Sequence, residues 1–413
     1  MKLEKACNLT KGIAEAEETK REARIKPKYF TRIRKMSFSE LVYYILHPGK
    51  ESTRLGLTRF FEMIGKGGIK MSEQAFSKAR SHFSHWPFEK MVRETTAEEY
   101  RGEDVQTWNG YYLFAIDGTT VALPDKPSLC KAFGGSGRKK DSATASVSIL
   151  YDIENDWIAD AAIDPYPTVE RTQAVGHISR LKELGIASQS LVLFDRGYPE
   201  AKFLSFLQTN ELHFLMRCKR KWNCIVDETQ SNDFRLELNQ EVSLRVVRVL
   251  LPSGETETLI TNLFDLPYEL FMPLYFRRWP VETKYGILKN KLELCNFTGC
   301  SPNAILQDFW VSIHLANIAA LAKAEADSAI QASRAGSENK YTYQTNTAQL
   351  IGTLKDRFIR ACFLRGDRRR CRAIQNIIDE IAYAVSPVRP NRSFWRNPWP
   401  RKAKFCFNRR SNI

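Results

Sequence analysis

The sequence predicts an α/β protein: a mixed β-sheet core with an inserted antiparallel β segment, flanked by helical N- and C-terminal regions. Three observations predict it. Between residues 105 and 217, short apolar runs alternate with segments of helical period. Between 219 and 263 the apolar residues recur every second position around a Pro-Ser-Gly-Glu turn, as in antiparallel strands. Residues 1 to about 100 and 303 to 385 carry helical spacing.

Taken in order, FSELVYYILH has the apolar spacing of a helix, and MSEQAFSKARSHF fits the second half of a helix-turn-helix. Ser72 would cap that helix, with Lys78, Arg80 and His82 on its surface; a structural helix pair fits equally well. From Trp108 the pattern changes. YYLFAI reads as a strand stopped by a turn at Asp117-Gly118-Thr119. ATASVSILYDI and WIADAAI are two further strands, joined by a turn at Glu154-Asn155-Asp156. Residues 169–185 form a helix that ends at a glycine. SLVLF is a fourth strand, ending in Asp195-Arg196-Gly197. PEAKFLSFLQTN is a helix with Pro199 in its first turn, and LHFLMR is a fifth strand. Beyond residue 303 the chain reads as all-helical, with a polar loop at 330–347 and a basic, Pro- and Trp-rich tail from Arg389.

Composition narrows the function. The chain has 413 residues, 43% hydrophobic and 26% charged, as in globular proteins. Its net charge of +15 points to a polyanionic partner, most simply nucleic acid. The nine cysteines are scattered, without zinc-knuckle spacing, and the six histidines include no His-x-x-x-His pair, which disfavours a zinc hydrolase. The charged N-terminal stretch, and the lack of an apolar run approaching roughly 20 residues, lead to the expectation of a soluble intracellular protein with no membrane partner.

The stretch YFRRWPVETKYGILKNK, residues 275–291, sets one acid, Glu282, among several cations. On a straight helix at about 100° per residue, Tyr275, Arg278, Glu282 and Lys289 share one face. Pro280 interrupts it, so a bend or restart is expected there. Asp117 and Asp195 end the first and fourth strands. If those strands are neighbours, both aspartates emerge together, and the helix could bring Glu282 to them. Clustered carboxylates repel unless a cation offsets them. Hard oxygen donors suit Mg²⁺, and a pair of such ions suits phosphodiester chemistry. Arg278 and Lys289 would grip the flanking phosphates, and Tyr275 could donate to another. The loop GGSGRKKDS lacks Walker spacing and reads as a basic loop whose Arg138, Lys139 and Lys140 touch DNA.

Three stretches then carry a resemblance: AIDGTTVAL around Asp117, LVLFDRGYPE around Asp195, and YFRRWPVETKYGILK around Glu282. The last contains Tyr-x2-Arg-x3-Glu-x6-Lys. Together they resemble the bacterial insertion-sequence DDE transposases of the IS-four family. The resemblance implies an RNase H-like catalytic core at 105–300 with a β-rich insertion at 218–265. Around it would lie a helical DNA-end-binding domain at 1–104, a helical region at 301–388 and the basic tail at 389–413. It implies cut-and-paste transposition with Mg²⁺, for which Mn²⁺ can substitute, held by Asp117, Asp195 and Glu282. Tyr275, Arg278 and Lys289 would contact transposon-end phosphates and support a hairpin intermediate. Trp222 would stack on a flipped base; packing in the core is the other reading of that residue. The implied partners are double-stranded DNA, as terminal inverted repeats and target, and a second copy of the chain in the DNA complex. The implied location is the bacterial cytoplasm, at the nucleoid. A domesticated or inactive DNA-binding protein and a stand-alone metal-dependent nuclease are the alternatives.

Overall fold

A computed structural model describes the chain apart from residues 33, 48, 50, 138, 139, 220, 239–241, 252, 253, 337–339 and 390–413. It divides into two compact units, each assembled from separate stretches. One comprises residues 96–121 and 144–286; the other comprises 1–95, 122–143 and 287–413.

The first unit is built on a mixed sheet. Its strands are β1 (Tyr112–Ala122), β3 (Ser142–Asp152), β4 (Trp157–Pro165), β5 (Ser190–Phe194), β6 (His213–Arg217), β7 (Asp233–Leu238), β8 (Val242–Leu250) and β9 (Thr256–Thr261). A two-residue strand, β2 (Gly135–Ser136), pairs with the start of β3. The order is β4-β3-β1-β5-β6-β9-β8-β7. β1, β5 and β6 are parallel, and β3 and β4 antiparallel. β9 joins β6 antiparallel, so the inserted segment extends the main sheet.

Alternation decides the two faces. Leu113, Leu191, Leu193, Leu215, Val247 and Leu259 form a buried cluster on one side, closed by Phe271 and Leu274 of the helix Phe271–Phe276. Phe114, Val192, Phe194 and Phe214 are also fully buried, so the sheet is covered on both faces.

The second unit is helical around Pro302–Ser333, which packs against Lys2–Glu15, Phe38–Leu46, Thr347–Phe363 and Asp367–Tyr383. By length and composition this central helix could cross a membrane, contrary to the expectation that no such run exists. Its most apolar window, however, is 83% buried inside the protein, the pattern of a core helix.

Several expectations are corrected. β1 does not stop at Asp117-Gly118 but runs to Ala122, because Gly118 has no positive φ and continues the strand. Pro199 precedes the helix Ala201–Thr209, whose N-cap is Glu200. The C-terminal region is not all helix: Thr342–Thr345 and Val385–Val388 pair as an antiparallel ribbon. Ser72 does cap Glu73–Arg80 through the Ala75 amide. Arg80, though, is not a surface residue. Its guanidinium is buried against Asp308 at 2.7 Å and Gln307 at 2.7 Å, and it also donates to Thr298. His82 stacks on Tyr29, with ring centroids 3.8 Å apart.

Candidate active site

The site grows out of strand register. β1 pairs β5 with Phe114 opposite Val192 and Ala115 opposite Leu193. Continuing that ladder two residues sets Asp117 beside Asp195, the residue that follows β5. Both side chains leave the sheet where the paired stretch of the two parallel strands ends.

Glu282 comes from the helix Pro280–Asn290, in its first turn. The helix Phe271–Phe276 ends before it, and Pro280 starts the new one, so the break falls where the proline predicts. Tyr275 and Arg278 therefore do not share a straight helix with Glu282 and Lys289. The second helix is tied to the sheet by its own residues. Tyr285 donates to the Asp117 carbonyl at 2.7 Å. Lys284, nearly buried, donates to Asp156 Oδ1 at 3.1 Å, and Arg277 pairs with Glu154. Two of the cations in the basic stretch thus hold the turn between β3 and β4, a structural use that spacing did not reveal.

Arg278 is the hub. Its side chain is 11% exposed, with Nη1 3.9 Å from Asp117 Oδ2 and Nη2 3.2 Å from Glu282 Oε1. Tyr275 donates to Asp195 Oδ1 at 3.5 Å. The Gly118 amide donates to Asp117 Oδ1 at 3.0 Å. Burial pushes the Asp117 carboxyl up to about 6 against the pull of Arg278, with Glu170 and Asp195 adding repulsion. Burial likewise pushes the Tyr275 phenol up to about 12. Among the described residues, no three His, Cys, Asp or Glu side chains already stand in metal-ligand geometry. Here Asp117 and Glu282 meet through a guanidinium, and Asp195 meets it through a phenol.

The remaining expected residues fall as follows. Lys289 lies in the last turn of Pro280–Asn290. Trp222 is half-buried, and its indole donates to the Pro199 carbonyl at 3.3 Å, beside the segment that follows Asp195. Lys140 is exposed and takes a left-handed backbone conformation, φ 52°. Arg138 and Lys139 lie outside the described residues. One residue near the aspartates had no place in the expectation: Glu170, at the start of the helix Glu170–Glu183. Its approach to Gly118 and Gly197 is what sequence reading missed.

With that geometry in hand, the model of the transposase DDE domain family matches residues 108–318. The chain belongs to the transposase DDE domain family. The matched stretch holds Asp117, Asp195 and Glu282 together with the inserted strands. A putative transposase, InsZ of Escherichia coli strain K12, is 27% identical over 168 residues, 38% of this chain and 51% of that protein. The chain thus spans about half the length of this curated relative. A cryo-EM structure of the piggyBac transposase synaptic complex with hairpin DNA aligns with a TM-score of 0.48 at 10% identity. The alignment covers 96% of this chain and 87% of that one.

Proposed function

We propose that this chain is a DNA transposase that cuts the ends of its own insertion sequence and joins them to a target duplex. The observation that carries this reading is the ladder that sets Asp117 beside Asp195, with Arg278 reaching from Asp117 to Glu282. Membership of the transposase DDE domain family supports it. The strand order β4-β3-β1-β5-β6, with β5 and β6 parallel to β1, supports an RNase H-like core.

The donor set fits a hard divalent cation: carboxylate oxygens in a partly buried, net acidic site. Asp117, Asp195 and Glu282 would hold Mg²⁺, or Mn²⁺ in its place. Held there, the ion would supply activation of water and stabilisation of a leaving 3′-oxygen. The rest falls to the chain's own groups. Arg278 presents a planar fork that grips a phosphate bidentately and moves off the carboxylates as it does so. Tyr275, its phenol kept protonated, donates to a neighbouring phosphate. Lys289 adds a point charge from the last turn of the helix that carries Glu282, and Lys140 another from the basic loop. Trp222 stacks on a displaced base; its indole bond to the Pro199 carbonyl, in the segment that follows Asp195, supports this role. Nicking followed by a hairpin, and a pair of copies bringing two ends together at the bacterial nucleoid, complete the proposal.

The test is cleavage by the full chain of DNA carrying the inverted repeats that bracket its gene. Cutting at the repeat ends is expected in Mg²⁺ or Mn²⁺ and is lost in EDTA. Cutting that persists in EDTA contradicts the reading.

A further inference from the structure

The site holds a fourth carboxylate that the function above does not use. Glu170 opens the helix Glu170–Glu183, and its side chain reaches both aspartate-bearing segments. A methyl group added at Gly118 would stand 3.0 Å from Glu170 Cγ and Oε1. One added at Gly197 would stand 3.7 Å from Glu170 Oε2. Gly118 follows Asp117 directly, and Gly197 lies two residues after Asp195. Neither glycine has a positive φ, so backbone conformation does not demand them. The approach of Glu170 accounts for the missing side chain at Gly118; at Gly197 it makes only ordinary contact distance.

A second observation marks the same place. The Tyr198 hydroxyl is fully buried and has no hydrogen-bond partner. Its ring is fixed against Phe194 and Phe203. The backbone amide of Tyr198 donates to the Asp195 carbonyl at 3.3 Å, so this residue belongs to the aspartate-bearing segment itself. A buried hydroxyl left unsatisfied is costly, and a bound group would relieve that cost. The nearby cations are shared: Arg278 also pairs with Glu282, and Arg171 pairs with Glu200. Mg²⁺ takes only one or two carboxylates directly and keeps several waters. Those waters need acceptors in a second layer.

We propose that Glu170 is a positioning residue of the cation site, accepting hydrogen bonds from the water shell of a divalent ion held by Asp117 and Asp195. This rests on the metal-site reading above. It makes Glu170 a determinant of cation affinity before any DNA is bound, when Glu282 is engaged with Arg278.

The experiment is calorimetric titration of the full chain, without DNA, with Mn²⁺. Wild type is compared with Asp117→Asn, Glu170→Gln and Gly118→Ala. Gln keeps the shape that fits beside Gly118 and removes only the charge. Glu170→Gln is expected to weaken Mn²⁺ binding about ten- to a hundredfold. The rise in melting temperature caused by Mn²⁺ should shrink in parallel, which a purely structural role would not produce. Gly118→Ala keeps the charge but crowds Glu170, and should weaken Mn²⁺ in the same direction; it also decides the matter should Glu170→Gln fail to fold. Unchanged affinity in Glu170→Gln, or in Gly118→Ala if that is the folded variant, overturns the proposal while Asp117→Asn still loses Mn²⁺. Wild type binding no better than Asp117→Asn contradicts the metal-site reading itself, and the proposal with it.

Discussion

Asp117→Asn is expected to reduce strand cleavage by about a thousandfold or more, equivalent to about 4 kcal/mol of transition-state stabilisation. Binding of the element's end DNA should remain. The substitution is nearly isosteric on a strand whose ladder with β5 is made by the backbone, so the fold is kept. What it removes is the charge that chemistry at this site needs. Binding instead rests on cations meeting phosphates, and the loss of a negative charge does not weaken that. Stability moves the other way from activity. In the metal-free protein, burial raises the Asp117 carboxyl to about 6, above its ordinary value. The folded state therefore favours the protonated form, and that preference is lost as pH rises through about 6. At neutral pH the neutral Asn is easier to bury than the carboxylate, so the variant should melt no lower than wild type. Nicking of a labelled duplex and a mobility shift, run side by side, separate the two effects. Near-normal cleavage in Mg²⁺ would take Asp117 out of the site.

The second large effect is expected at Arg278. As an ordinary surface partner of Glu282 it would contribute well under about 1 kcal/mol. Its side chain is instead mostly buried between Asp117 and Glu282. Lys cannot reproduce a planar fork that reaches two groups at once, so even Arg278→Lys should slow the reaction about a hundredfold. Lys289→Ala should act differently, weakening DNA binding and lowering the salt slope by about one phosphate contact. A time course of nicked, hairpinned and fully cut ends at two salt concentrations distinguishes them. If both residues support the hairpin, their defects grow after the first nick. Wild-type kinetics in both variants would return this stretch to an ordinary charged helix.

What could be read in advance was what local physics decides. Short apolar runs located the strands around both aspartates, and Pro280 located the helix restart. The adjacency of β1 and β5 was a condition of the argument, and their parallel ladder meets it. What escaped depends on tertiary contacts. Asp117-Gly118 looked like a turn because Asp-Gly favours turns; only the packed structure reveals that Gly118 makes room for Glu170 instead. Glu170 itself looked like any acid in a helix's first turn, where the dipole favours it. The glycine directly after Asp117 was the one trace of it in the sequence. Arg80 looked like a cation on a helix surface, since nothing local announces an Asp308 that is 228 residues away. The ribbon Thr342–Thr345 with Val385–Val388 brings together segments some forty residues apart, beyond the reach of periodicity.

The central claim, that this site both cuts DNA and joins it to a new duplex, is tested most directly by strand transfer. The full chain is incubated in Mg²⁺ with a pre-cut end carrying a free 3′-hydroxyl and with a supercoiled plasmid as target. The account predicts covalent joining of the labelled end to the plasmid, absent in Asp117→Asn. Cleavage of DNA without any joined product would contradict it and leave a nuclease built on the same carboxylates.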